Sequence, residues 1–152
     1  MSRSKSRAQE LDQAYRKAIY RVLDDSPFDL RVDCFSARLA AWQRRAGVDH
    51  SALLTACNPG SQRLPDECNQ QRQQALIQCL EGRIFLYTES IDPEGLWPVE
   101  QGVIVAGMKP DDARQLADQW EQLAWLQMGP DTRPELMYID DVHYKVLKTL
   151  RR

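Results

Sequence analysis

Between residues 8 and 23 the apolar positions Leu11, Ala14, Tyr15, Ala18, Ile19, Val22 and Leu23 recur every three or four residues, which predicts a helix with one buried stripe. The end of that stretch, Tyr20-Arg21-Val22-Leu23, also suits a strand. Asp24-Asp25-Ser26-Pro27 ends the segment, because proline disfavours helical backbone in the residue before it. Residues 28–32 alternate apolar and charged side chains and predict a short strand. Ser36 is placed to cap a helix that turns Leu39 and Trp42 inward, and Gly47 supplies its left-handed end.

The pattern sharpens from residue 51. Residues 51–57 read as a buried strand closed by the turn string Asn58-Pro59-Gly60-Ser61. Asp66 and Glu67 open a helix over 66–81 that stops at Gly82. Residues 83–89 and 102–107 are rich in β-branched and aromatic side chains and predict buried strands, separated by the loop string Asp92-Pro93-Glu94-Gly95. Pro110 opens a helix whose inward stripe is Ala113, Leu116, Ala117 and Trp120. Residues 123–128 and 136–139 predict further strands, and 141–150 a terminal helix.

From residue 51 the elements run strand, helix, strand, strand, helix, strand. That order predicts an α+β ferredoxin-like β-α-β-β-α-β plait, an antiparallel sheet with two helices on one face. Additional N- and C-terminal helices are placed to cover the other. A length of 152 residues suits a single domain, 1–152.

Charge and cysteine usage narrow the functional classes. Basic residues cluster in the terminal segments 1–7 and 145–152; without these seven of the 20 Lys and Arg, 13 stand against 22 Asp and Glu. An acidic body without a basic stripe argues against a nucleic-acid partner. Cys34, Cys57, Cys68 and Cys79 form no C-x-x-C pair, and His50 and His143 have no second ligand at helical spacing, so no metal site is expected. Neither G-x-G-x-x-G nor G-x-x-x-x-G-K-[ST] occurs, so no nucleotide cofactor is implied. Without an apolar leader or a run of about 18 apolar residues, a cytoplasmic protein with no membrane partner is expected.

The candidate chemistry gathers around Thr55-Ala56-Cys57-Asn58-Pro59-Gly60-Ser61, where a buried strand delivers Thr55, Asn58 and Ser61 to a loop. These residues suit a hydrogen-bonding lip for a polar ligand. They equally suit an Asx-Pro turn in which Asn58 bonds its own backbone. Asn69 and Arg72 lie one turn apart on the next helix; Arg72 suits a ligand carboxylate or phosphate, or a structural pair with Glu100. Glu100 is the one candidate for acid–base work, requiring a pocket that desolvates it. Trp97 is the tryptophan placed to serve as a ligand platform, whereas Trp42, Trp120 and Trp125 fall in apolar patterns and read as core.

Thr55-Ala56-x-Asn58-Pro59-x-Ser61, Asn69-x-x-Arg72 with Leu76 and Leu80, Trp97-x-x-Glu100, Gly107 and Gln122-x-Ala124 together resemble an uncharacterised bacterial family, domain of unknown function 3293. The resemblance spans about residues 14–128, including Ala14-Tyr15 and Tyr20-Arg21-Val22. The chain departs from the family pattern at Cys57, where an aromatic is common, and at Trp120-Glu121, where Phe-Gly precedes the glutamine. It implies recurring polar positions at Thr55, Asn58, Asn69, Arg72, Glu100 and Gln122, without an accepted activity.

The expectation from these observations is a pocket beside the 55–61 loop for a small polar or anionic metabolite. Its contacts would come from Thr55, Asn58, Ser61, Asn69, Arg72, Trp97, Glu100 and Gln122. The alternative is an interaction or regulatory module that docks a protein partner and holds no small molecule. The residues leave open whether a reaction is catalysed.

Overall fold

The computed structural model describes residues 6–139. The terminal helix expected at 141–150 and the basic stretch 145–152 lie outside the described residues. The chain runs α1 (Arg7–Lys17), β1 (Ile19–Val22), β2 (Phe28–Leu30), α2 (Ala37–Ala46), β3 (Ser51–Leu54), a 3-10 turn (Pro59–Ser61), α3 (Asp66–Cys79), β4 (Phe85–Ile91), β5 (Glu100–Ala106), α4 (Pro110–Gln119), β6 (Ala124–Met128) and β7 (Glu135–Tyr138).

The seven strands form one antiparallel sheet in the order β2-β1-β4-β5-β3-β6-β7, curled into a half-barrel. This overturns the ferredoxin-like plait expected from the sequence. The four strands that reading relied on are the sheet's middle, but three more extend it at both edges. At one edge the helical stripe of residues 8–23 divides in two. Helix α1 ends at Lys17, and Ala18 takes extended backbone (φ −61°, ψ 148°). Ile19–Val22 then pairs with both β2 and β4, burying Tyr20 and Val22 on alternate positions. At the other edge β7 pairs with β6. A sheet this wide accumulates twist and closes partway on itself.

Both faces are covered. One core contains Tyr20, Val22 and Leu30 with Leu53, Ile104 and Leu126 from the sheet, and Leu39 and Trp42 of α2; Ala8, Tyr15 and Ala18 pack on it from α1 and its end. The other joins Ala52, Leu54, Val103 and Val105 to Leu76 and Leu80 of the α3 segment and to Ala113 and Ala117 of α4. Strands β3 and β5 are therefore apolar on both sides, which is why 51–57 and 102–107 read as continuous apolar runs. Ser36 caps α2 by accepting from the Leu39 N–H, and Gly47 ends it at φ 72°. No helix among the described residues is long and apolar enough to cross a membrane.

Candidate functional site

Beyond β3 the chain enters a loop that the sheet cannot hold by itself. Asn58 (φ 49°), Gly60 (φ 61°) and Ser61 (φ 61°) all occupy left-handed backbone. For residues with side chains this conformation costs free energy, and such positions cluster where function needs them. Hydrogen bonds hold the loop. The Thr55 hydroxyl donates to the Gln101 carbonyl at 2.6 Å and accepts from the Cys57 N–H at 3.0 Å. The Gly60 N–H donates to the Glu121 carbonyl at 2.7 Å, tying the loop to the end of α4.

Asn58 is the loop's organiser, through partners more distant than an Asx-Pro turn would use. Its N–H donates to Asn69 Oδ1, and its own Oδ1 accepts from the Leu64 N–H and from Asn69 Nδ2, each at 2.9 Å. Its Nδ2 donates to Glu100 Oε2, also at 2.9 Å.

Glu100 opens β5 on the face that α1 covers. Register places Tyr20 opposite Ser90 and Ser90 opposite Glu100, so three polar tips form a row across β1, β4 and β5. Above this row lies a cavity of about 500 Å³ between α1, the sheet and the 92–98 loop. Leu11 and Ala14 of α1, Leu53 and Leu126 of the sheet, and Leu96 and Trp97 of the loop supply apolar walls. Thr55, Asn58, Ser61, Glu100 and Gln122 supply its polar side, together with Tyr15, whose hydroxyl lies 3.2 Å from Ser61 Oγ. The Tyr20 hydroxyl donates to the Tyr15 carbonyl at 2.7 Å, and Arg7 donates to the Ser61 carbonyl at 3.2 Å.

Burial pushes the Glu100 carboxyl above its ordinary value, opposed by the hydrogen bond from Asn58. No Lys, Arg or His among the described residues forms an ion pair with it. Burial also raises Tyr15 and Tyr20, with the Glu100 charge adding to both, and raises the Cys57 thiol, an inert buried group.

The remaining sequence candidates fall on either side of the cavity wall. Gln122 lines it and donates from Nε2 to the carbonyls of Cys57 (3.0 Å) and Trp120 (3.1 Å). Trp97 is 55% exposed, on a loop whose Asp92 carboxylate accepts from the N–H groups of Glu94, Leu96 and Trp97. Asn69 and Arg72 do not line the cavity. Arg72 Nε donates to the Ala56 carbonyl at 2.5 Å, its NH2 group to the Trp120 carbonyl at 2.8 Å, and its guanidinium lies 5.5 Å from the Trp120 ring centre. It forms no ion pair with Glu100. The sequence points to none of Tyr15, Tyr20 and Ser90 as site residues: Tyr15 falls on the apolar stripe of residues 8–23 and Tyr20 in a stretch that suits a strand, although both belong to the family-like opening segment. Among the described residues no group of three or more His, Cys, Asp or Glu is arranged to hold a metal ion.

The chain is thus an α+β protein whose antiparallel sheet carries helices on both faces and a cavity with one polar side. Residues 54–124, from the end of β3 to the start of β6, match the family described as Protein of unknown function (DUF3293), which bears out the resemblance over that stretch; the match does not reach the Ala14-Tyr15 and Tyr20-Arg21-Val22 segment. No curated protein and no solved structure matches the chain.

Proposed function

We propose that the protein binds a small polar ligand with an apolar body in the cavity under α1. Thr55, Asn58, Ser61, Glu100 and Gln122 make the polar contacts, and Trp97 borders the mouth. The observation that carries this reading is convergence: polar groups from α1, the 55–61 loop, β5 and the turn before β6 meet on one side of an apolar-walled cavity of ligand size. Asn69 and Arg72 hold the loop in its costly conformation and do not touch the ligand. With Arg72 committed to two carbonyls, the reason to expect an anionic ligand is gone. The free Cys34, Cys57, Cys68 and Cys79 favour placement in the reducing cytoplasm.

A thermal-shift screen of nucleosides, amino acids, amines, sugars and carboxylates against the protein tests this reading. A ligand at 100 times its dissociation constant adds about 2.7 kcal/mol of stability. Ser61→Ala and Trp97→Ala, which leave the loop's internal bonds in place, are expected to reduce the response. No response from any compound class would remove the reading. It would favour the docking of a protein partner, for which the exposed Leu96 (76%), Trp97 (55%) and Val99 (53%) are the supporting observation.

A further inference from the structure

We propose that the cavity selects an organic ammonium, whose charged nitrogen pairs with the Glu100 carboxylate and whose apolar body lies against Trp97, Leu96 and the inner side of α1. The inference rests on the ligand-binding reading above and adds the ligand's chemical class. Its first support is an unbalanced charge. Glu100 is a half-buried carboxylate whose side-chain donor, Asn58, is neutral, and no cation among the described residues pairs with it. Taking a carboxylate out of water without a counter-charge is expensive, and a ligand cation supplies what the protein withholds.

The second support is that the carboxylate is held in place. Asn58 grips Oε2 from a loop kept in left-handed backbone, so the charge is fixed at the cavity wall instead of turning outward to water. Third, two basic residues bordering the cavity are engaged elsewhere: Arg7 on the Ser61 carbonyl and Lys17 with Glu94 at 3.9 Å. Arg63 borders the cavity as well, where it can receive an acidic group carried at the far end of the ligand. Fourth, the aromatic residues Tyr15, Tyr20 and Trp97 border the same space, and aromatic rings attract ammonium groups that a carboxylate has already drawn in. A carboxylate ligand would meet Glu100 with like charge.

The test uses the full-length protein and three probes of one shape but different charge: benzylamine, benzyl alcohol and benzoate, each titrated near neutral pH by NMR. Benzylamine is expected to bind tightest and benzoate weakest, with shifts at residues around the cavity. Glu100→Gln, which keeps an acceptor for Asn58, is expected to weaken benzylamine by roughly tenfold or more and to abolish the ranking. Trp97→Ala, a change on an exposed loop, is expected to weaken all three probes while keeping their order. Benzyl alcohol or benzoate binding as well as benzylamine, or a ranking that survives Glu100→Gln, overturns the ammonium inference and leaves the ligand pocket standing. Absence of cavity shifts with every probe overturns both.

Discussion

Asn58 Nδ2 donates to Glu100 Oε2 across 2.9 Å, joining the left-handed loop after β3 to the first residue of β5. The amide has no freedom to turn over. Its Oδ1 is already occupied by the Leu64 N–H and Asn69 Nδ2, so only the nitrogen side is left for the carboxylate. Asparagine also suits φ 49° better than most side chains do. One residue therefore closes the loop and orients the only carboxylate of the polar row.

Replacing Glu100 by Gln is expected to stabilise the protein at neutral pH, by an amount on the order of 1 kcal/mol, because it removes a desolvated charge and keeps the acceptor for Asn58. The sign follows from protons. Burial raises the folded-state pKa above the unfolded one, so between the two values the folded state holds more protons and stability falls as pH rises. The penalty is complete above the folded pKa and disappears as pH falls through both values. Urea midpoints of wild type and Glu100→Gln should therefore converge toward acid. A gap that stays constant with pH would mean that the charge costs nothing in the fold.

Strands β3 and β5 are legible in the sequence because both their faces are covered, which leaves a continuous apolar run; β3 nevertheless stops at Leu54, where the apolar run to residue 57 predicts a longer strand, because the chain turns into the loop at Thr55. Ile19–Val22 is different: its apolar positions satisfy helical and alternating spacing alike, and the decision comes from pairing with β4, about seventy residues further on. Without that pairing the wide sheet is invisible and a four-stranded plait is the natural reading. At the site, the turn string 58–61 announces a loop, yet Asn58's partners Leu64, Asn69 and Glu100 are set by tertiary packing. Arg72 shows the same limit, since a guanidinium that suits a ligand's carboxylate suits two carbonyls equally well. Tyr15 was hidden by its ring, which packs on the core while its hydroxyl reaches Ser61.

Asn58→Asp should be the more damaging change to this pair. It puts a second carboxylate where the donor was, so Glu100 faces like charge, and it removes the bond to Oε2. A loss of about 2–4 kcal/mol is expected at neutral pH, shrinking in acid as one proton restores a donor. Adding Glu100→Gln to this variant returns an amide nitrogen to the contact with the roles exchanged. A double-mutant cycle should show that rescue; simple additivity of the two changes would deny that these side chains interact.

Arg72→Ala leaves the Ala56 and Trp120 carbonyls without their guanidinium donors and is expected to cost about 2–4 kcal/mol. Arg72→Lys should recover little of it, because an ammonium cannot serve two carbonyls in fork geometry and stack on Trp120. The informative comparison is the ligand-induced rise in Tm, expected to persist in Arg72→Lys at a lower baseline. Loss of the response in a folded variant would return Arg72 to the list of ligand contacts.

Gly102 is needed for space. A Cβ there would lie 2.7 Å from the Leu54 carbonyl oxygen and 2.8 Å from Thr88 Oγ1, and the first of these is backbone that can move only by shifting β3. Gly102→Ala is expected to cost about 1–3 kcal/mol through overpacking. Because β3 leads directly into Thr55 and Asn58, the displacement should also show as shift changes at the 55–61 loop. An unchanged denaturation midpoint would mean that the two strands part without cost.

Helix α1 forms the roof of the cavity, and its hold on the sheet is partly polar. The Tyr138 hydroxyl of β7 donates to the buried Asp12 carboxylate, and Arg16 reaches both Asp12 and Asp33 at 3.2 and 3.1 Å. Tyr138→Phe removes one anchor while keeping the ring, including its edge contact with Tyr15. The expected global loss is about 1–2 kcal/mol. The sharper expectation is local: amide exchange should accelerate in α1 more than in β3 or β5, because opening the roof is a smaller event than unfolding the sheet. Ligand affinity should fall along with that protection, since a roof that opens more often presents the complete site for a smaller fraction of the time. Uniform acceleration across the molecule would show instead that α1 and the sheet open as one unit, and that this contact stabilises the fold without gating the cavity.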